Sequence, residues 1–143
     1  MRRREFISLL GGAAAAWPLS ASAQQTGKVS RIGYLGASSA SLERRDLDAF
    51  RQTLRDLGYV EGENITIEYR WAEGDDSQFL GLAFDLIELK ADVIVTEGTP
   101  GTLAAKQATN TIPIVFASSA NPVKDGLVAS YARPGGNLSL IHI

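Results

Sequence analysis

The chain has 143 residues, with 14 lysines and arginines against 16 aspartates and glutamates, a formal net charge of −2 and no cysteine. This length sets a ceiling of one domain of ordinary size. An acidic balance without any basic block argues against nucleic acid as a partner, and the lack of cysteine excludes a disulfide framework, a thiolate nucleophile and a zinc-thiolate site.

Arg2, Arg3 and Arg4 open the chain, and Arg3-Arg4-Glu5-Phe6-Ile7 fits x-Arg-Arg-x-Phe-[Leu/Ile], the pattern of a bacterial twin-arginine export signal. The apolar stretch 6–19 contains Gly11, Gly12 and Pro18 and is shorter than the about 20 apolar residues needed to cross a bilayer. Ala21-Ser22-Ala23 supplies a small-x-small cleavage site, so residues 1–23 read as a signal peptide and Gln24 as the mature start. The expected destination is the periplasm, with the twin-arginine translocase as the partner during export. That route carries folded cargo, so the mature domain is expected to fold before it leaves.

Residues 31–35 are a short apolar run bounded by Gly36 and a serine cluster, a first strand. Leu47, Phe50, Leu54 and Leu57 recur at spacings of three and four, predicting an amphipathic helix over 42–57 with Arg44, Arg45, Asp46 and Asp48 on its wet face. Gly58 is placed to close it in the left-handed conformation, with Tyr59 packing back on Leu54. Ile65, Ile67 and Tyr69 then alternate with Thr66 and Glu68 in a half-exposed second strand. Phe79, Ala83, Leu86 and Ile87 give the apolar face of a helix over 77–90, and Val93-Ile94-Val95 a strand buried on both faces. Thr99 and Pro100 are expected to open the next helix as N-cap and first-turn proline, with Asn110 as a left-handed stop. Residues 112–116 make a fourth strand, and 122–133 a last helix before Pro134-Gly135-Gly136. Four strand-helix repeats imply an α/β fold, an open parallel sheet with helices on both faces.

In such a sheet the ligand crevice lies beyond the carboxyl ends of the strands, where the strand order reverses. Three loops qualify: Gly36, Ala37, Ser38, Ser39 and Ser41 after the first strand; Thr96, Glu97, Gly98, Thr99 and Pro100 after the third; Ser118, Ser119, Ala120 and Asn121 after the fourth. Ser38, Ser39, Gly98, Thr99, Ser118, Ser119 and Asn121 are the candidate ligand-binding residues. Their hydroxyls and backbone N–H groups suit a small polar ligand, and the helix N-termini behind them favour a carboxylate. The same residue types also serve any strand-to-helix turn, so Ser38 and Ser39 fit a solvated loop equally, and Thr99 is expected to cap its helix whether or not it meets a ligand. Trp71 fits either stacking on a ligand or packing over the sheet.

Other motifs are excluded. Gly33-Tyr34-Leu35-Gly36 lacks the Gly-x-Gly-x-x-Gly fingerprint and no P-loop lysine follows. Asp75-Asp76 lacks the recurring oxygen ligands of a calcium loop. No metal or other cofactor is expected. An exported enzyme of doubly wound fold would want a Gly-x-Ser-x-Gly elbow or a histidine base, and the one histidine, His142, lies at the end of the chain.

A twin-arginine leader followed by RIGYLG, LRDLGYVEGENITIEYRWAEG, ADVIVTEGTPGTLAAKQATNTIPIVF and NPVKDGLVASYARPGGN resembles the start of the ABC-transporter substrate-binding proteins of the type I periplasmic-binding fold. The resemblance implies an extracytoplasmic receptor that closes two lobes over a small solute, an amino acid or other small carboxylate, and presents it to an ABC permease. It implies no catalysis. Residues 24–137 would be the N-terminal lobe of such a receptor, cut short of its second lobe. Where the family usually shows Asp before Pro-Val this chain has Asn121, which keeps an acceptor oxygen but lacks the charge that pairs with an ammonium group. After Gly136-Asn137 the family pattern is lost, and 138–143 read as an atypical tail without functional weight. An exported enzyme or a sensory ligand-binding module of the same fold is the alternative.

Overall fold

The computed structural model describes residues 28–117, 122–126 and 135–140; the expected leader at 1–23 lies outside them. Strand β1, Ser30–Gly36, is buried along most of its length because both of its faces are covered. Ile32 and Tyr34 point to one side, and Leu35 to the other. Gly33 lies under α2, Phe79–Glu88, where an added Cβ would come within 3.0 Å of the Leu86 side chain. Beside β1 run β2, Ile65–Trp71, and β3, Val93–Glu97, followed outward by β4, Ile114–Ala117, and β5, Leu138–Leu140. All pairings are parallel and the order is β2-β1-β3-β4-β5.

Helix α1, Arg44–Asp56, covers one face. Its Leu47, Phe50 and Leu54 pack on Ile32, Tyr34, Ile65, Ile67, Val93 and Val95. It ends as the glycine pattern predicts: Gly58 has φ 91°, Tyr59 N–H donates to the Leu54 carbonyl at 2.8 Å and Gly58 N–H to Arg55 at 2.9 Å, the paired bonds of a Schellman motif. On the other face α2 and α3, Gly98–Ala108, enclose Leu35, Phe79, Leu86, Ile94, Ala105, Ile114 and Phe116. Val93 and Val95 are only partly buried, whereas Ile94 and Thr96 are fully enclosed, so β3 alternates and is not uniformly apolar on both faces. Asp92 sets its register by accepting Arg31 N–H at 2.8 Å.

Several boundaries differ from expectation. The helix predicted over 77–90 begins with a 3-10 turn, Asp76–Gln78, capped by the Asp75 side chain, and stops at Glu88 because Lys90 turns left-handed with φ 59°. Thr99 is not an N-cap. The chain turns at Gly98, φ 74°, so Glu97 is the residue before the helix, and the Thr99 hydroxyl donates to Asp125 at 3.1 Å. Nor does Asn110 turn left-handed. Helix α3 ends at Ala108 with Thr109 extended, and the Thr109 hydroxyl accepts N–H groups of Thr111 and Ile112, a local bond that offers the backbone an alternative to helix. Residues 122–126 form a turn closed by Gly126 at φ 73° where a helix was expected; the rest of that helix lies outside the described residues.

Among the described residues the sheet has five strands, not four. Leu138 pairs with Ile114 and is buried in the core under α2 and α3, while Asn137 Nδ2 donates to the carbonyls of Thr109 and Ile112. Among the described residues no helix is long and apolar enough to cross a membrane.

Candidate functional site

From β1 the chain goes outward to β2 and then crosses back to β3, so the strand order reverses between β1 and β3. The loops leaving their carboxyl ends lead to helices on opposite faces of the sheet, α1 and α3, which opens a crevice between them. Of the predicted site residues, Ser38 and Ser39 lie on the loop after β1, and Gly98 and Thr99 are the first two residues of α3, directly after β3. Ser118, Ser119 and Asn121 lie outside the described residues.

The loop after β1 is held from two sides. The carbonyls of Gly36, Ala37 and Ser38 accept N–H groups of Ala72, Gly74 and Glu73 at 2.9–3.0 Å, which prolongs the contact with β2 past the end of the ladder. From below, Glu43, only 7% exposed, accepts Ser38 N–H at 2.7 Å and the Ser38 hydroxyl at 2.8 Å through Oε1, and the Tyr34 hydroxyl at 3.4 Å through Oε2. Three accepted bonds keep a buried carboxylate tolerable. The Ser39 carbonyl accepts N–H groups of Leu42 and Glu43, and its hydroxyl meets that of Ser41 at 3.0 Å.

Beneath the loop lies an aromatic floor. The Tyr34 ring sits 5.6–5.9 Å from the rings of Phe50, Tyr69 and Trp71, and Trp71 stacks parallel to Tyr69. Trp71, the last residue of β2, thus packs over the sheet, with its indole against Gly36. Burial, then the nearby Glu43, drives the Tyr34 hydroxyl pKa far above its ordinary value, so this phenol keeps its hydrogen.

On the β3 side, the buried Thr102 donates to the Gly98 carbonyl at 2.7 Å. Its one hydrogen being spent, it must accept from Thr96 at 2.8 Å, which anchors the first turn of α3 to the strand. The Glu97 side chain makes no hydrogen bond or ion pair among the described residues. Burial raises its pKa, helped by the negative charges of Glu43 and Asp46. The crevice is therefore lined by hydroxyls and carries negative charge on the β1–β3 side. Sequence reasoning missed Glu43 and Tyr34; their only signal is a glutamate directly before α1, at a position that usually faces water.

A groove between the end of α1 and the start of β2, lined by Leu54, Tyr59, Ile65 and Ile67, has a volume of ≈ 20 Å³, room for about one water. It lies at the far end of the sheet. Among the described residues no cluster of His, Cys, Asp or Glu is placed to hold a metal ion.

Residues 39–141 match the family model described as ABC transporter substrate binding protein. A tyrosine-binding protein of Clostridioides difficile (strain R20291) is 39% identical over 90 residues, which cover 63% of this chain and 26% of the relative. Two solved structures align over 78% of this chain and 38% of their own. One is the ligand-free, open form of a substrate binding protein with adhesive properties from Clostridium difficile, at 31% identity and TM-score 0.73. The other is an ABC domain from Streptococcus pneumonia in complex with L-Trp, at 25% identity and TM-score 0.71. This chain thus spans about a quarter of the curated relative and under two-fifths of the solved structures. With a matching family model over most of its length, a parallel sheet of the same architecture and a hydroxyl-lined crevice at the switch point, the chain belongs to the ABC transporter substrate binding protein family.

Proposed function

We propose that this chain forms the first face of an extracytoplasmic receptor that captures an amino acid, aromatic by preference, for import by an ABC permease. The observation that carries the reading is the pair of loops at the β1–β3 reversal, whose polar groups are already ordered by Glu43 and by the Thr96–Thr102 pair. Pre-ordered groups lower the entropy cost of binding. Ser38 and Ser39 on the loop after β1 and Gly98 and Thr99 at the start of α3 are the proposed contacts, with Ser118, Ser119 and Asn121 proposed to complete the face. The solute preference follows the relatives, one named for tyrosine and one solved with L-Trp. The leader at 1–23 would place the receptor in the periplasm through the twin-arginine translocase, and closure of a second lobe would bury the ligand. Members of this family are receptors, and the reading requires no catalytic residue and no cofactor.

Calorimetric titration of the full chain with the standard amino acids tests it. Because this chain supplies one face of the site, binding of tyrosine or tryptophan is expected in the millimolar range, about −4 kcal/mol. The absence of binding by every standard amino acid overturns the proposal.

A further inference from the structure

We propose that Glu43 makes Ser38 a hydrogen-bond acceptor towards the solute, so that the loop after β1 takes the ammonium end of an amino acid and not its carboxylate. This rests on the receptor reading and adds the orientation of the ligand.

The argument is a count of hydrogens. Ser38 owns a backbone N–H, a backbone carbonyl and a hydroxyl with one hydrogen and two lone pairs. Its N–H goes to Glu43 Oε1 at 2.7 Å, and its carbonyl accepts Glu73 N–H at 2.9 Å. The hydroxyl stands 2.8 Å from the same Glu43 oxygen. A carboxylate has no hydrogen to give, so serine is the donor there, and lone pairs are all that Ser38 retains for a ligand. Those lone pairs repel a carboxylate and accept from an ammonium group. Ser38 is only half-buried, so the hydroxyl is reachable. The neighbouring carbonyls of Gly36 and Ala37 already accept from Ala72 and Gly74, so the loop as a whole presents acceptors.

The surroundings have the same sign. No cation pairs with Glu43 among the described residues, and Glu97, whose side chain has no partner among the described residues, ends the adjacent strand. The helix termini behind these loops suggested a carboxylate, but Glu43 stands before the first turn of α1 and Asp46 lies within it, so the protein already supplies the negative charge that this dipole favours. Glu43 acts here as a positioning residue: it touches no ligand in this scheme and sets what Ser38 can offer.

The test is calorimetric titration of the full chain and its Ser38→Ala and Glu43→Gln variants with tyrosine, tyramine, which lacks the carboxylate, and desaminotyrosine, which lacks the ammonium group. In Ser38→Ala, tyrosine and tyramine should weaken about tenfold, the scale of one hydrogen bond to a charged group, while desaminotyrosine stays within about twofold. In Glu43→Gln the side-chain amide can donate to Ser38 and release its hydrogen, so the preference for tyrosine over desaminotyrosine should narrow several-fold. A purely structural role for Glu43 would weaken all three compounds alike. Equal losses for tyrosine and desaminotyrosine in Ser38→Ala overturn the orientation, and that variant decides alone if Glu43→Gln does not fold. If none of the three compounds binds the native chain, the receptor reading fails and takes this inference with it.

Discussion

Gly36 shows how one residue type ties the strand to the site. The Trp71 indole lies against its backbone, and an added Cβ would run into that ring and approach Glu43 Oε2 to 2.9 Å. Gly36→Ala should therefore destabilise by about 1–3 kcal/mol through overpacking and loosen the Ser38 loop; denaturant titration checks the first and solute affinity the second. Glu97 makes a different case. Its raised pKa means that the folded state holds a proton more tightly than the unfolded chain does. Stability from this group is thus greatest at low pH and falls as pH rises from the usual glutamate value through the raised one. Glu97→Gln should remove that slope and raise stability at neutral pH by no more than about 0.5 kcal/mol, since the group is half-exposed and screened. Denaturation at several pH values reads this out, and an unchanged slope overturns it. The turn through Ser38 and Ser39 after β1 was legible because turn chemistry is local. Glu43 was not, because its burial depends on Tyr34 and Ser38 meeting it from another element.

Helix periodicity carried most of what was legible among the elements. Leu47, Phe50 and Leu54 face the sheet as their spacing requires, and Gly58 ends α1 by the expected mechanism. Two ends were misplaced, one because Thr99 turns to a tertiary partner, Asp125, and one because the local bonds of Thr109, not Asn110, stop α3. Two glycines test how far local conformation sets stability. Gly58 has φ 91° with nothing within 4 Å of an added Cβ, so Gly58→Ala should cost about 1–2 kcal/mol from backbone strain alone. Gly81 lies within α2, exposed, with equally open space around it. Gly81→Ala should stabilise by about 0.5–1 kcal/mol. Thermal unfolding of the two variants must move in opposite directions; a shift of the same sign would mean that contacts outside these helices decide.

At the scale of the molecule, the strand-helix alternation revealed a parallel sheet, whereas β5 was invisible. Three residues are too few to show a period of two, and the partner of Leu138, Ile114, lies far back in the chain. The topology also bears on export. β1 pairs with both Ile65–Trp71 and Val93–Glu97, so the centre of the sheet closes only once the chain has reached β3, and non-local parallel pairing of this kind is slow to form. A route that threads an unfolded chain would have to outrun that closure; one that accepts folded cargo has no such race. The paired arginines of the leader are the proposed address for the second route. Replacing Arg3 and Arg4 together with Lys keeps the charge but changes the recognised groups, so export of the chain to the periplasm should fall at least about tenfold while the general secretory route stays open to other proteins. Cell fractionation measures it. Export that continues undiminished in a strain without the twin-arginine translocase would show that the leader is read by the general machinery, and that the chain crosses the membrane before its sheet has closed.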